Sequence, residues 1–128
     1  MEPVTLIWNL MMLTREFADH FAADWIAAWN AHDLERVLSH YSDDVEMTSP
    51  YIVQIADEPS GVLRGKQAVG DYWRLALARM PTLHFEPVAT LLGVQSVVIY
   101  YKGVRGMAAE MFFFANDGLV VKACAHYL

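Results

Sequence analysis

The chain reads as an α+β domain, with helices in its first half packed on one face of a curved, mainly antiparallel sheet built by its second half. Three observations lead to that expectation. Apolar residues recur at three- and four-residue spacing over residues 17–29 and again over 69–77, the period of a helix with one buried stripe. From Leu83 onward the period switches to two, over four segments parted by glycine-bearing breaks, which is the pattern of strands joined as a meander. The length of 128 residues, 55% of them hydrophobic, fits one domain with a substantial core.

Each element has a local cause. Thr14 is placed to cap the first helix, with Glu16 and Asp19 early in it where the helix dipole favours acids. Phe17, Phe21, Trp25, Ala28 and Trp29 form its stripe, and it ends near Asn30. Asp33 can cap a short second helix through about Ser39, with Leu34, Val37 and Leu38 facing inward. Tyr41-Ser42-Asp43-Asp44 reads as a turn, where short acids bond nearby backbone N–H groups. Residues 45–49 alternate as a half-buried strand that groups Val45, Met47 and Ser49, and Pro50 ends it.

Residues 51–63 hold Asp57-Glu58-Pro59-Ser60-Gly61 and read as a turn-rich loop, able to close over a pocket mouth or to serve an interface. Gly65 opens a third helix that runs to about Arg79 with Val69, Tyr72, Trp73, Ala76 and Leu77 on its apolar face, and Pro81 stops it. Strands are expected over 83–92, 95–104, 107–115 and 119–127. Asn116-Asp117-Gly118 is a hairpin signal, because such turns need positive φ. Residues 1–13 read as an N-terminal extension and 14–128 as the domain.

Composition excludes several function classes. The net charge is −6 and the isoelectric point about 5.2. The nine Lys and Arg form no cluster, so nothing marks a nucleic-acid or anionic membrane partner. Cys124 is the only cysteine; a reducing compartment, the cytoplasm, is the expected location. Residues 3–13 are apolar but too few to span a bilayer, and Glu2 stands where a signal peptide carries positive charge. A start at Met11 or Met12 is an alternative reading. The mean hydropathy of +0.23 points to an internal pocket, a subunit interface, or both. The five histidines show no metal-binding spacing, and GxGxxG, P-loop and GxSxG motifs are lacking; neither a metal nor a nucleotide cofactor is expected.

Four short motifs then carry a resemblance: Trp29-Asn30-Ala31-His32-Asp33, Tyr41-Ser42-Asp43-Asp44-Val45, Arg64-Gly65-Lys66 and the closing Asp117-Gly118. From about Phe17 to Tyr127 the chain resembles the nuclear transport factor 2-like superfamily, which includes the ketosteroid isomerases and the SnoaL-type polyketide cyclases. The resemblance implies a cystatin-like cone, three N-terminal helices on a curved sheet around a pocket, and homodimers paired through the convex face. Laid over the isomerase pattern, the oxyanion-hole tyrosine falls on Trp25 and the proton-shuttling aspartate on Ser49. The supporting tyrosine of the third helix falls on Trp73, and the protonated acid on Glu110. Only Glu110 keeps its chemistry, so steroid isomerisation as such is not expected.

Alternation puts Ala108, Glu110, Phe112 and Phe114 on one face of a strand whose other face is also apolar. A carboxyl there must be paired, hydrogen-bonded or protonated. It is either a general acid or oxyanion donor, or a structural partner of Arg64, Arg105 or Tyr101. The expected catalytic residues are Glu110 and Ser49, the latter orienting a ligand or water. Trp25, Trp29, Met47, Tyr51, Tyr72, Trp73, Tyr101, Phe112 and Tyr127 are expected around the pocket, with His126 on the opposite face from Tyr127. The expected function is a cofactor-independent isomerase, cyclase or dehydratase acting on a small apolar carbonyl compound. The alternative is a non-catalytic ligand-binding or homodimeric assembly module.

Overall fold

The computed structural model describes residues 12–128, so most of the expected N-terminal extension lies outside the described residues. Helix α1 (Arg15–Asn30) starts where the Thr14 side chain accepts a hydrogen bond from the Phe17 N–H, and α2 (Leu34–Leu38) where Asp33 accepts from Arg36. Strand β1 (Tyr41–Thr48), α3 (Pro50–Ile55), β2 (Val62–Arg64) and α4 (Lys66–Arg79) follow. The second half is a meander of β3 (Glu86–Leu92), β4 (Ser96–Gly103), β5 (Gly106–Phe114) and β6 (Val120–Tyr127). The six strands form one open sheet in the order β2-β1-β6-β5-β4-β3. All pairs are antiparallel except β1 with β6. Among the described residues no helix is long and apolar enough to cross a membrane.

The α+β architecture is the expected one, with several local differences. Tyr41 to Asp44 is the beginning of β1, not a turn; Tyr41 pairs with Val120, and a register irregularity before Glu46 accommodates the exposed Asp43 and Asp44. Their polar chemistry stays local, with the Ser42 hydroxyl donating to Asp44 at 2.9 Å. Second, Pro50 ends β1 by opening a fourth helix. A proline at the first helical position loses no hydrogen bond there, and the Ser49 side chain caps the helix. Third, residues 62–64 leave the expected loop and pair with β1 as an edge strand.

The core lies between the helices and one face of the sheet. Helix α1 packs toward β3, and α4 toward β1 and β2. The stripe on α1 works as a row of aromatic contacts: Phe21 meets Phe112 and Phe114 edge-on at 4.9 Å, and Trp25 meets Phe112 at 5.3 Å. Along β5, Ala108, Glu110, Phe112 and Phe114 are buried, while Met107, Ala109, Met111 and Phe113 are half-buried on the outer face. Residues 83–85, expected in a strand, instead cross the end of α1. Asn30 holds them through both edges of its amide, donating to the Phe85 carbonyl at 2.9 Å and accepting from its N–H at 2.7 Å. The His32 ring nitrogen Nε2 lies 2.9 Å from the Leu83 carbonyl oxygen.

Candidate active site

A cavity of about 320 Å³ opens between the sheet and the helices. Helix α1 contributes Trp25 and Trp29, α4 contributes Tyr72 and Trp73, and the sheet contributes Met47, Tyr101, Glu110 and Tyr127. Tyr51 of α3 also lines it. Ala76, Met80, Leu83 and Phe85 complete the apolar wall, and the β4–β5 hairpin with Arg105 borders the opening.

Glu110 is the polar centre of this space, with only 4% of its surface exposed. Its strand neighbours are Ile99 and Ala125, so the sheet offers it no polar side chain directly alongside. Burial pushes its carboxyl up to about 8, and interaction with the Tyr101 hydroxyl offsets this only in part. Of the three partners the sequence allowed, Arg64 is bound instead to Glu46 at 3.1 Å, and Arg105 sits over the Tyr51 ring at 5.2 Å. Tyr101 is the one that acts on it.

The tyrosines are held protonated by the same surroundings. Burial, then the Glu110 charge, raises Tyr101 and Tyr127 far above the ordinary phenol value. Tyr72 is pushed up to about 12 by burial, against the opposing contact with Ser49. Near neutral pH the cavity wall therefore carries hydroxyl groups and a largely protonated carboxyl, all able to donate. Trp29 lines the cavity with its ring, while its indole N–H is buried out of contact with the space and without a hydrogen-bond partner. Buried donors are rarely left so.

Trp25, at the position matched to the oxyanion-hole tyrosine, differs. Its indole N–H donates to the Tyr41 hydroxyl at 3.0 Å, so it supplies an aromatic surface and its donor is already engaged. Two expected residues do not line the cavity. The buried Ser49 accepts from the Tyr51 N–H at 3.1 Å and touches the tyrosine hydroxyls of 72 and 127 from behind. It is a helix cap and a support for that wall, because Pro50 turns the chain into α3 at this point. Phe112 is fully buried beneath Phe21 and Trp25, one strand position too deep to reach the space.

The remaining expected pocket residues, Trp25, Trp29, Met47, Tyr51, Tyr72, Trp73, Tyr101 and Tyr127, are brought together around Glu110. His126 is exposed on the other face, with Nδ1 3.1 Å from the Cys124 carbonyl oxygen. Sequence reasoning missed Met80, Leu83, Phe85 and the hairpin residues. Only Arg105 carried a signal, as a charge in a hairpin loop between two glycines. Among the described residues no three His, Cys, Asp or Glu side chains are grouped as a metal would require.

The family model for the SnoaL-like domain matches residues 22–125. The chain belongs to the SnoaL-like family. A crystal structure of a SnoaL-like protein of unknown function from Burkholderia thailandensis shares 59% identity with this SnoaL-like chain. It superposes with a TM-score of 0.88 over 91% of this chain and 98% of that one. TerC co-crystallised with polyporic acid has the same fold at 14% identity, with a TM-score of 0.70 over 88% of this chain and 92% of that one. A proposed isomerase of the SnoaL-like family from Agrobacterium tumefaciens aligns at 13% identity, TM-score 0.68, over 86% and 96% of the two chains. No curated protein matches the chain with significance.

Proposed function

We propose that this SnoaL-like protein is a cofactor-independent enzyme that takes a small, largely apolar carbonyl compound into the cavity and isomerises, cyclises or dehydrates it through an enol-like intermediate. The observation that carries the reading is Glu110, a buried carboxyl that no ion pair holds among the described residues, facing a cavity lined by tyrosine hydroxyls. Protonated, it can donate to a carbonyl oxygen as negative charge develops there, in a site where little water competes. Tyr101 acts on Glu110 and steadies the carboxyl. The aromatic walls hold the apolar body. That TerC was co-crystallised with polyporic acid supports, at the level of the fold, an organic ligand in such a space.

The second reading, a non-catalytic binder, is favoured by one fact. Among the described residues, Glu110 is the only carboxyl-bearing side chain lining the cavity, and no histidine or lysine joins it. Titrating the protein with ketones, enones and lactones separates the two, because Trp25, Trp29 and Trp73 in the wall report occupancy by fluorescence. Saturable quenching with turnover by wild type, and binding with turnover at least about a hundredfold lower in Glu110→Gln, is the expected result. Binding without turnover leaves the carrier reading. A full set of ligands that fails to quench removes both.

The outer face of the sheet, with Val98, Tyr100, Ala109 and Met111 half-buried or exposed, supports pairing of two copies. Light scattering at micromolar concentration should give twice the chain mass of 14.5 kDa, and a monomer mass rejects the pairing.

A further inference from the structure

The arginines divide into two groups. Arg15 pairs with Asp19, Arg36 with Asp24, Arg64 with Glu46 and Arg74 with Asp71. Among the described residues, no ion pair joins Arg79 or Arg105 to a carboxylate. These two come from different elements, the end of α4 and the β4–β5 hairpin, yet both line one small cleft of about 120 Å³ together with Tyr51, Gln54 and Met80. Tyr51, Met80 and Arg105 line the main cavity as well, so the two spaces share a wall at the opening. Both arginines are exposed to solvent.

The Arg105 guanidinium is seated over the Tyr51 ring, and that ring stacks on Tyr127 at 4.1 Å between centroids. Stacking positions a guanidinium while leaving its in-plane N–H groups free to bind. The chain as a whole carries −6, which repels anions, but Arg79 and Arg105 bring two positive charges together at this opening. A positive rim on a low-dielectric cavity draws in and orients an anionic solute.

We propose that Arg79 and Arg105 form an anion-reading pair at the mouth of the cavity, and that the ligand is an amphipathic anion. Its apolar, carbonyl-bearing body lies inside and its carboxylate is held at the rim. This rests on the reading of the cavity given above and narrows the substrate class to organic carboxylates. The two ends of the site then do different work. The rim binds a full negative charge with two guanidinium groups, whereas the interior, where a second anion would face Glu110, accepts only a neutral acceptor oxygen.

A matched pair of probes tests it: 2-acetylnaphthalene and 6-acetyl-2-naphthoate, which differ only by the carboxylate. Their affinities are measured by tryptophan fluorescence at about 20 mM and about 300 mM salt, with wild type and the double variant Arg79→Gln/Arg105→Gln. The acid is expected to bind wild type about tenfold tighter than the neutral ketone at low salt. That preference, read as the ratio of the two affinities in each protein, should shrink at high salt and vanish in the double variant. Equal affinity of the two probes for wild type overturns the anion pair and leaves the carbonyl-binding cavity standing. A preference that survives the double substitution places the anion elsewhere and also overturns it. Failure of both probes to bind wild type removes the cavity reading together with this one.

Discussion

Replacing Glu110 by glutamine should change how stability depends on pH. The wild-type carboxyl is pushed from the ordinary 4.5 to about 8 by burial. Below pH 4.5 it is protonated in both folded and unfolded chains, and it opposes folding little. Between 4.5 and about 8 the unfolded chain releases the proton while the folded chain keeps it, so stability falls as pH rises. The slope for one such group is about 1.4 kcal/mol per pH unit, and the whole loss reaches about 5 kcal/mol once pH passes the folded value. Other shifted groups act outside this window. Hydrogen bonding from Arg36 holds Asp24 below its ordinary 3.8, so its contribution is lost only in more acidic solution. The buried tyrosines are raised and begin to matter only above the ordinary phenol value of 10. Urea unfolding of both proteins at pH 5, 6, 7, 8 and 9, at one protein concentration, reads the effect. The Glu110→Gln curve should be the flatter one and should cross above wild type as pH rises. Parallel curves for the two proteins would refute the claim that this carboxyl is buried protonated.

Two further perturbations probe what holds the cavity. Asn30→Ala removes both hydrogen bonds to the Phe85 backbone and should cost about 2–3 kcal/mol in urea unfolding, with weaker ligand binding because Leu83 and Phe85 form part of the wall; an unchanged midpoint contradicts the pinning role. Tyr41→Phe leaves the buried Trp25 N–H without its acceptor and should cost about 1–3 kcal/mol, whereas a loss near zero would mean the indole finds another partner.

The fold was legible because its signals were local and strong. The aromatic stripe of α1, the caps at Thr14 and Asp33, and the Asp117-Gly118 hairpin each have a cause within a few residues. The differences arose where one residue type serves two structures. Pro50 ends a strand and also suits the first position of a helix, so the loop reading of residues 51–63 missed α3. Asp43 and Asp44 are turn formers by propensity, yet the parallel partner β6 draws their segment into β1, a long-range contact that no window of sequence shows. The site divided along the same line. Alternation grouped Glu110 with Phe112 on one face of its strand, but depth is not a sequence property. Phe112, two residues from Glu110 on the same face, lies under the α1 aromatics and out of reach of the cavity. Likewise Ser49 matched a catalytic position but became a cap once Pro50 began α3.

The position of Glu110 also limits the chemistry the cavity can perform. Inward positions on β5 otherwise hold Ala108, Phe112 and Phe114, and Ile99 and Ala125 flank it on the neighbouring strands. A methionine there would fill similar volume without the desolvation cost, so the carboxyl is a stability loss of the kind found where function opposes packing. A protonated carboxyl has one donor and one acceptor oxygen, so Glu110 can give a proton to one atom and recover one from another, which returns it to its starting state. With its carboxyl pushed up to about 8, Glu110 is mostly protonated at pH 7 with an ionised minority, so either half-step can come first. Isomerisation and dehydration satisfy that balance, since each moves a proton without net gain or loss by the protein. Hydrolysis through a wall hydroxyl as nucleophile fits less well, because burial raises Tyr72, Tyr101 and Tyr127 away from ionisation. Among the wall groups whose titration is shifted, only the Glu110 carboxyl comes near neutrality, and the proton it holds is what the site has to offer.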